Sequence, residues 1–157
     1  MQQAIEIAKQ TEQKGGVAIG ALLVDDVTGE VVATGGSEVA LQHDATAHAE
    51  IIAIRTASKK RGSDDLFGLI LYSTLEPCHM CLSAAAWAKI SHVFFGAYRK
   101  DVNEDLFDVV NGVGDEAEAH AMNLRENANM IVHGGIRERE CAELLKHHGA
   151  EKPAHSS

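Results

Sequence analysis

The stretch LFGLILYSTLEPCHMCLSAAAWAKISHVFFGA, residues 66–97, sets two apolar runs on either side of a short alanine-rich segment. The first run, LFGLILYST, is rich in aliphatic and aromatic residues and ends against Glu76 and Pro77, which is the pattern of a buried strand. CHMCLSAAAWAK reads as a helix opened by Pro77, whose fixed φ suits a first turn, and ISHVFFGAY as a second buried strand. Working outward, VAIGALLVDD, TGE and VVATG form a hairpin with a glycine-containing turn. Between the hairpin and the first buried strand, Ile51, Ile52, Ile54 and Ala57 fall at helical spacing within residues 47–61. AIEIAKQ is an amphipathic first helix stopped by Gly15 and Gly16. Downstream, ANMIVHGG is a last strand and IRERECAELLKHH a last helix, with the acidic KDVNEDLFDVVNGVGDEAEAH expected as loop with short helical pieces. Strands alternating with helices place the chain in the α/β class: a three-layer α/β/α sandwich around a mixed five-stranded central sheet. One domain is expected over residues 1–149, with residues 150–157 a frayed tail.

Composition narrows the function classes. At 157 residues, 45% hydrophobic and 24% charged, the chain can bury a core without disulfides. No apolar run reaches the ~20 residues of a membrane span, and MQQAIEIAKQ does not have the form of a signal peptide, so a cytoplasmic protein with no membrane partner is expected. The three cysteines are an odd number and two of them lie three apart, which suits a metal or redox site better than disulfides. A net charge of −9 argues against a polyphosphate partner, and SKKRG at residues 58–62 reads as the solvated end of a helix, so nucleic acid is not expected as a partner.

Two segments carry chemistry: DATAHAE, residues 44–50, and PCHMC, residues 77–81. Cys78 and Cys81 sit three apart at a helix start, where they share a side and where the positive end of the helix dipole favours thiolates. His48 and Glu50 are two apart and would not face each other on a regular helix; they converge only if His48 lies in the first turn and the longer glutamate reaches round. With His48, Cys78 and Cys81 as ligands, a zinc ion keeps an open fourth position, the mark of a catalytic site. Zinc lowers the pKa of a water there to about 7, and Glu50, not a ligand, stands ready to carry its proton. Other readings stay open on the residues alone: a thioredoxin-like Cys-x-x-Cys redox pair, or a structural zinc with a fourth ligand from Cys141, His79 or His92.

His-x-Glu followed by Pro-Cys-x-x-Cys is the signature of the zinc deaminases. The sequence resembles the cytidine deaminase-like superfamily, in its branch of tRNA adenosine deaminases, fungal-type cytosine deaminases and bacterial guanine deaminases. GGVAIGALLVD, HDATAHAEIIAIR, LYSTLEPCHMCLSAA, VFFGA and ECAELLK carry the resemblance across nearly the whole chain. It implies one zinc per chain on His48, Cys78 and Cys81, with Glu50 as the catalytic proton carrier. It also implies that the Ala49 backbone amide holds the base carbonyl, and that the protein is a homodimer.

The resemblance implies a zinc-dependent hydrolytic deaminase of a free aminated nucleobase or analogue, of guanine/purine, cytosine or aminotriazine type. The alternatives are a tRNA adenosine deaminase and a free nucleoside deaminase. FFGAYRKDVNEDLFDV is similar to the guanine deaminases after their fourth strand, which makes Phe107 and Asp108 candidate base contacts, and CLSAAAWAK is similar to their Trp-bearing helix, which adds Trp87. For Trp87 and Phe107 plain core packing is the alternative, and for Asp108 one more solvated acid. Ser37 stands where the branch has a base-binding asparagine; a hydroxyl is shorter than an amide and swivels, so substrate preference is expected to have moved. Ala45 stands where the branch commonly has proline, which loosens the loop.

Overall fold

A computed structural model describes residues 1–102 and 129–146; the expected acidic loop and the tail fall largely outside that range. The sheet has five strands, β1 (Gly20–Asp25), β2 (Val31–Gly36), β3 (Leu69–Leu75), β4 (His92–Ala97) and β5 (Ile131–His133), in the order β2-β1-β3-β4-β5. β1 pairs antiparallel with β2 and β3, whereas β3–β4 and β4–β5 are parallel, so the sheet is mixed. The stretch 66–97 is thus a strand–helix–strand unit whose two strands lie side by side, Ser73 against Phe95.

The helices are α1 (Gln2–Gln13), the short α2 (Val39–Gln42), α3 (Ala49–Arg61), α4 (His79–Trp87) and α5 (Glu138–Glu143). Period-two alternation along the strands decides which face each helix covers. Gly20 and Gly36 face α1: a Cβ on Gly20 would stand 2.2 Å from the Ala4 carbonyl oxygen, and one on Gly36 would run into the Thr11 hydroxyl. One residue along each strand, Ala21 and Gly35 pair on the opposite face, and a Cβ on Gly35 would stand 2.2 Å from the Ala49 carbonyl oxygen of α3. α3 and α4 close that face over Leu23, Ala33, Leu71 and Val93. α1 and α5 cover the other, where Ile5, Cys141 and Leu145 pack against Leu75 and Ala97. The three-layer α/β/α architecture is the one expected.

Local chemistry sets the ends of these elements. Gly62 takes the left-handed conformation (φ 66°) that closes α3, as Gly15 (φ 88°) follows α1. Pro77 lies just before Cys78, the N-cap of α4, and so precedes the helix rather than occupying its first turn. α2 has no counterpart in the sequence reading: four residues carry too little periodicity to be seen.

Candidate active site

The starts of α3 and α4 meet at the C-terminal end of β3. His48 is the N-cap of α3 with an extended backbone (φ −67°, ψ 154°), one residue outside the helix, while Glu50 is its second residue. That break in backbone conformation lets side chains two apart turn into one site, which a continuous helix forbids. The loop before His48 is held by its own chain: Ala47 N–H donates to Asp44 O (3.0 Å), His48 N–H to Thr46 O (2.8 Å), and Glu38 N–H to Ala47 O (2.9 Å). Cys78 caps α4 and Cys81 lies in its first turn.

His48 Nδ1, Cys78 Sγ and Cys81 Sγ form a triangle with all three sides 3.6 Å. A tetrahedral zinc with bonds of about 2.3 Å to sulfur and about 2.0–2.1 Å to nitrogen sets ligand–ligand edges of about 3.6–3.8 Å. The donor set, two thiols and an imidazole, is also one that zinc favours. Among the described residues this is the sole group of three or more such side chains close enough to share an ion. The fourth ligands considered for a structural site are placed elsewhere. Cys141 is buried beneath Gly96, His92 Nδ1 pairs with Ser91 Oγ at 2.9 Å, and His79 is absent from the metal-binding group. Three protein ligands, with no fourth among the described residues, fit a catalytic zinc.

Glu50 is buried, 4% exposed, beside the triangle. Its Oε1 accepts a 2.8 Å hydrogen bond from Ser73 Oγ, and its Oε2 lies 3.4 Å from Cys81 Sγ. Burial pushes its carboxyl above the ordinary carboxylate range, opposed by its own backbone amide and by the Ser73 hydroxyl. The ligands are polarised as well. A hydrogen bond from Cys81 is the main cause that brings the Cys78 thiol down to about 4. The same bond, with burial, drives Cys81 up, and the contact with Cys78 raises His48.

Ala49, the first residue of α3, is fully buried, with a backbone amide that the helix itself cannot satisfy. Ser37 is buried at the end of β2, its N–H donating to Ile19 O at 3.1 Å, one residue from the Glu38–Ala47 bond that braces the His48 loop. Trp87 is not brought to the site within this chain. It is 85% exposed at the far end of α4 from Cys78, two turns beyond the ligands. Phe107 and Asp108 lie outside the described residues. Two other acids close to the His48 and Cys78 segments are engaged elsewhere: Asp44 with Thr46 and Arg55, and Glu76 with the Arg99 amide at 3.1 Å. Ser73 was missed from the sequence. Its signal was a polar residue in register with Leu69 and Leu71 on the core face of a mostly apolar strand.

Residues 1–97 match the family model described as the cytidine and deoxycytidylate deaminase zinc-binding region. The tRNA-specific adenosine deaminase of Bacillus subtilis is 36% identical over 145 residues, covering 92% of this chain and 83% of that protein. The guanine deaminase of the same organism is 40% identical over 109 residues, 69% of each chain. A solved structure from studies of A-to-I editing by tRNA:A34 deaminases at the wobble position of transfer RNA is 33% identical, with a TM-score of 0.72 over 92% of this chain and 97% of that one. Relatives named for tRNA therefore align over more of the chain than the guanine deaminase does, which weighs against the expectation that nucleic acid is not a partner.

Proposed function

Because the chain belongs to the cytidine and deoxycytidylate deaminase zinc-binding family, we propose that it catalyses hydrolytic deamination of an aminated nucleobase, replacing C–NH2 by C=O and releasing ammonia. The observation that carries this is the 3.6 Å triangle of His48, Cys78 and Cys81 with the buried Glu50 carboxylate against it. Zinc bound there supplies a Lewis acid that makes a water acidic near neutral pH. Glu50, through the oxygen facing the triangle, would carry one proton of that water to a ring nitrogen as the remaining hydroxyl adds to the amino-bearing carbon, and would then carry the proton of the added hydroxyl to the amino nitrogen, so that the C–N bond breaks, C=O forms and ammonia leaves. The Ala49 amide, fixed at the start of α3, holds the base carbonyl without reorganising, and Ser37 meets the base's polar edge. Because the Glu50 carboxyl is pushed up by burial, it accepts and returns the proton at little cost.

For the substrate, the first reading is adenosine within transfer RNA. The breadth of the match to tRNA-specific adenosine deaminases supports it, as do Arg99 and the exposed Lys100, which follow β4 where Glu76 ties this turn to the α4 entrance. The second reading is a free purine, cytosine or aminotriazine base, favoured by the net charge of −9, by the guanine deaminase match and by Ser37 in place of an amide. In this reading Asp108 and Phe107 contact the base. A homodimer suits both, with the exposed Trp87 on α4 at the contact between copies. The test measures ammonia release from an anticodon stem-loop RNA and from a panel of free bases and nucleosides. Turnover of the stem-loop that falls steeply with salt supports the first reading. Turnover of free bases alone supports the second, and none from either sinks the proposal.

A further inference from the structure

We propose that Ser73 is a positioning residue for the deamination: its hydroxyl fixes one oxygen of Glu50 so that the other is presented to the metal triangle. This inference rests on the proton-carrier role of Glu50 given above.

Ser73 is fully buried in β3, between Ala21 of β1 and Phe95 of β4. Its neighbours on that face, Leu69 and Leu71, are core residues, and an alanine would fill the position without needing a partner. A buried hydroxyl is costly unless it is hydrogen-bonded, and this one donates to Glu50 Oε1 at 2.8 Å. Glu50 at 4% exposure needs donors of its own. Its two oxygens are treated differently: Oε1 faces Ser73, and Oε2 faces Cys81 Sγ at 3.4 Å.

This division sets the aim of the carboxylate: Oε2 is turned toward the metal triangle, and Oε1 is held by the Ser73 hydroxyl. Without it the carboxylate turns about its last torsion, which is broad and weakly restrained. The oxygen that must carry the proton is then no longer aimed. Ser73 is fully buried in the sheet with its hydroxyl committed to Glu50, so its removal is expected to act on turnover and not on substrate binding.

The experiment compares zinc-loaded wild type, Ser73→Ala, Ser73→Thr, Ser73→Cys and Glu50→Gln, using whichever RNA or base the ammonia screen identifies. Zinc content, melting temperature, kcat and KM are measured for each, together with crystal structures of Ser73→Ala and Ser73→Thr. The expected result for Ser73→Ala is a kcat about tenfold to a hundredfold lower with KM and zinc unchanged and the Glu50 carboxylate rotated. Ser73→Thr keeps the hydroxyl and restores kcat and the carboxylate orientation. Ser73→Cys, similar in size but a poor donor, falls between. Wild-type kcat in Ser73→Ala with an inactive Glu50→Gln overturns the role of Ser73 alone. Loss of zinc or folding in Ser73→Ala that Ser73→Thr does not repair, with Ser73→Cys at full kcat, overturns it in favour of packing. Substantial turnover in Glu50→Gln overturns the proton-carrier role itself, and this inference with it.

Discussion

Replacing Gly35 with alanine should injure catalysis, while the same change at Gly20 should injure stability alone. The two glycines meet matching surroundings on opposite faces of the sheet. A Cβ at Gly35 would lie 2.2 Å from Ala49 O, 2.6 Å from Ala53 N and 3.0 Å from Ile52 Cβ. At Gly20 the same three distances fall on Ala4 O, Ala8 N and Ile7 Cβ. Cβ atoms essentially never approach closer than 3.0 Å, so each helix must retreat by at least about 0.8 Å from its strand. Overpacking of this kind costs about 1–3 kcal/mol, offset by about 0.4–1 kcal/mol because alanine restricts the unfolded chain. At about 2–4 °C per kcal/mol for a chain of this length, both variants should melt a few degrees below wild type. Only α3 carries His48 and Glu50 at its start. Its retreat from β2 moves both away from Cys78 and Cys81, and a displacement near 1 Å at a catalytic group costs about a hundredfold in rate. Melting temperature, zinc content and kcat for the two variants form the assay. Equal loss of kcat in both, or an unchanged kcat in Gly35→Ala alongside a lowered melting temperature, would refute the claim that the seat of α3 on β2 sets the site.

Cys78→Ser and Cys81→Ser should each lose most of the bound zinc by metal analysis, since a hydroxyl is a far poorer zinc ligand than a thiolate. Full occupancy in both would remove the ligand assignment. Leu71→Ala, at a fully buried centre of the α3/α4 face, should lower stability by about 2–5 kcal/mol in a denaturant titration. Ser37→Asn should shift the substrate profile toward the ordinary bases, because an amide supplies a donor and an acceptor on a longer arm; an unchanged profile would show that Ser37 does not meet the base. Trp87→Glu should convert a dimer to a monomer by light scattering and leave zinc content intact, whereas loss of zinc would place Trp87 in the site after all.

The sheet was legible because each strand announces itself locally. GALLVD, LILYSTL and HVFFGA are apolar over most of their length, as strands covered on both faces tend to be. The grouping of the candidate metal ligands was legible for a similar reason: Cys78 and Cys81 are joined by one turn of helix, and the start of α4 could be read beside Pro77. The convergence of His48 and Glu50 was harder, because it depends on the N-cap conformation of His48, a single pair of dihedrals that no periodicity reports. Ser73 shows in the sequence only as a polar residue in register with core leucines, and its partner does not show at all. Its hydrogen-bond partner lies 23 positions away on α3, and only the packing of that helix on β3 brings them together. Trp87 shows the converse: a local match suggested a pocket residue, but two turns of helix carry it to the exposed end of α4.

The most direct test is deamination in oxygen-18 water. Zinc-loaded protein, the metal-stripped form and Glu50→Gln are each incubated with the stem-loop RNA and the base panel, and products are read by mass spectrometry beside an ammonia assay. The expected result is one solvent oxygen in the product base for each ammonia released, abolished by stripping the metal and by Glu50→Gln, and restored to the stripped form by zinc. Turnover that persists without metal, or a product oxygen that does not come from solvent, would contradict zinc-dependent hydrolytic deamination at His48, Glu50, Cys78 and Cys81.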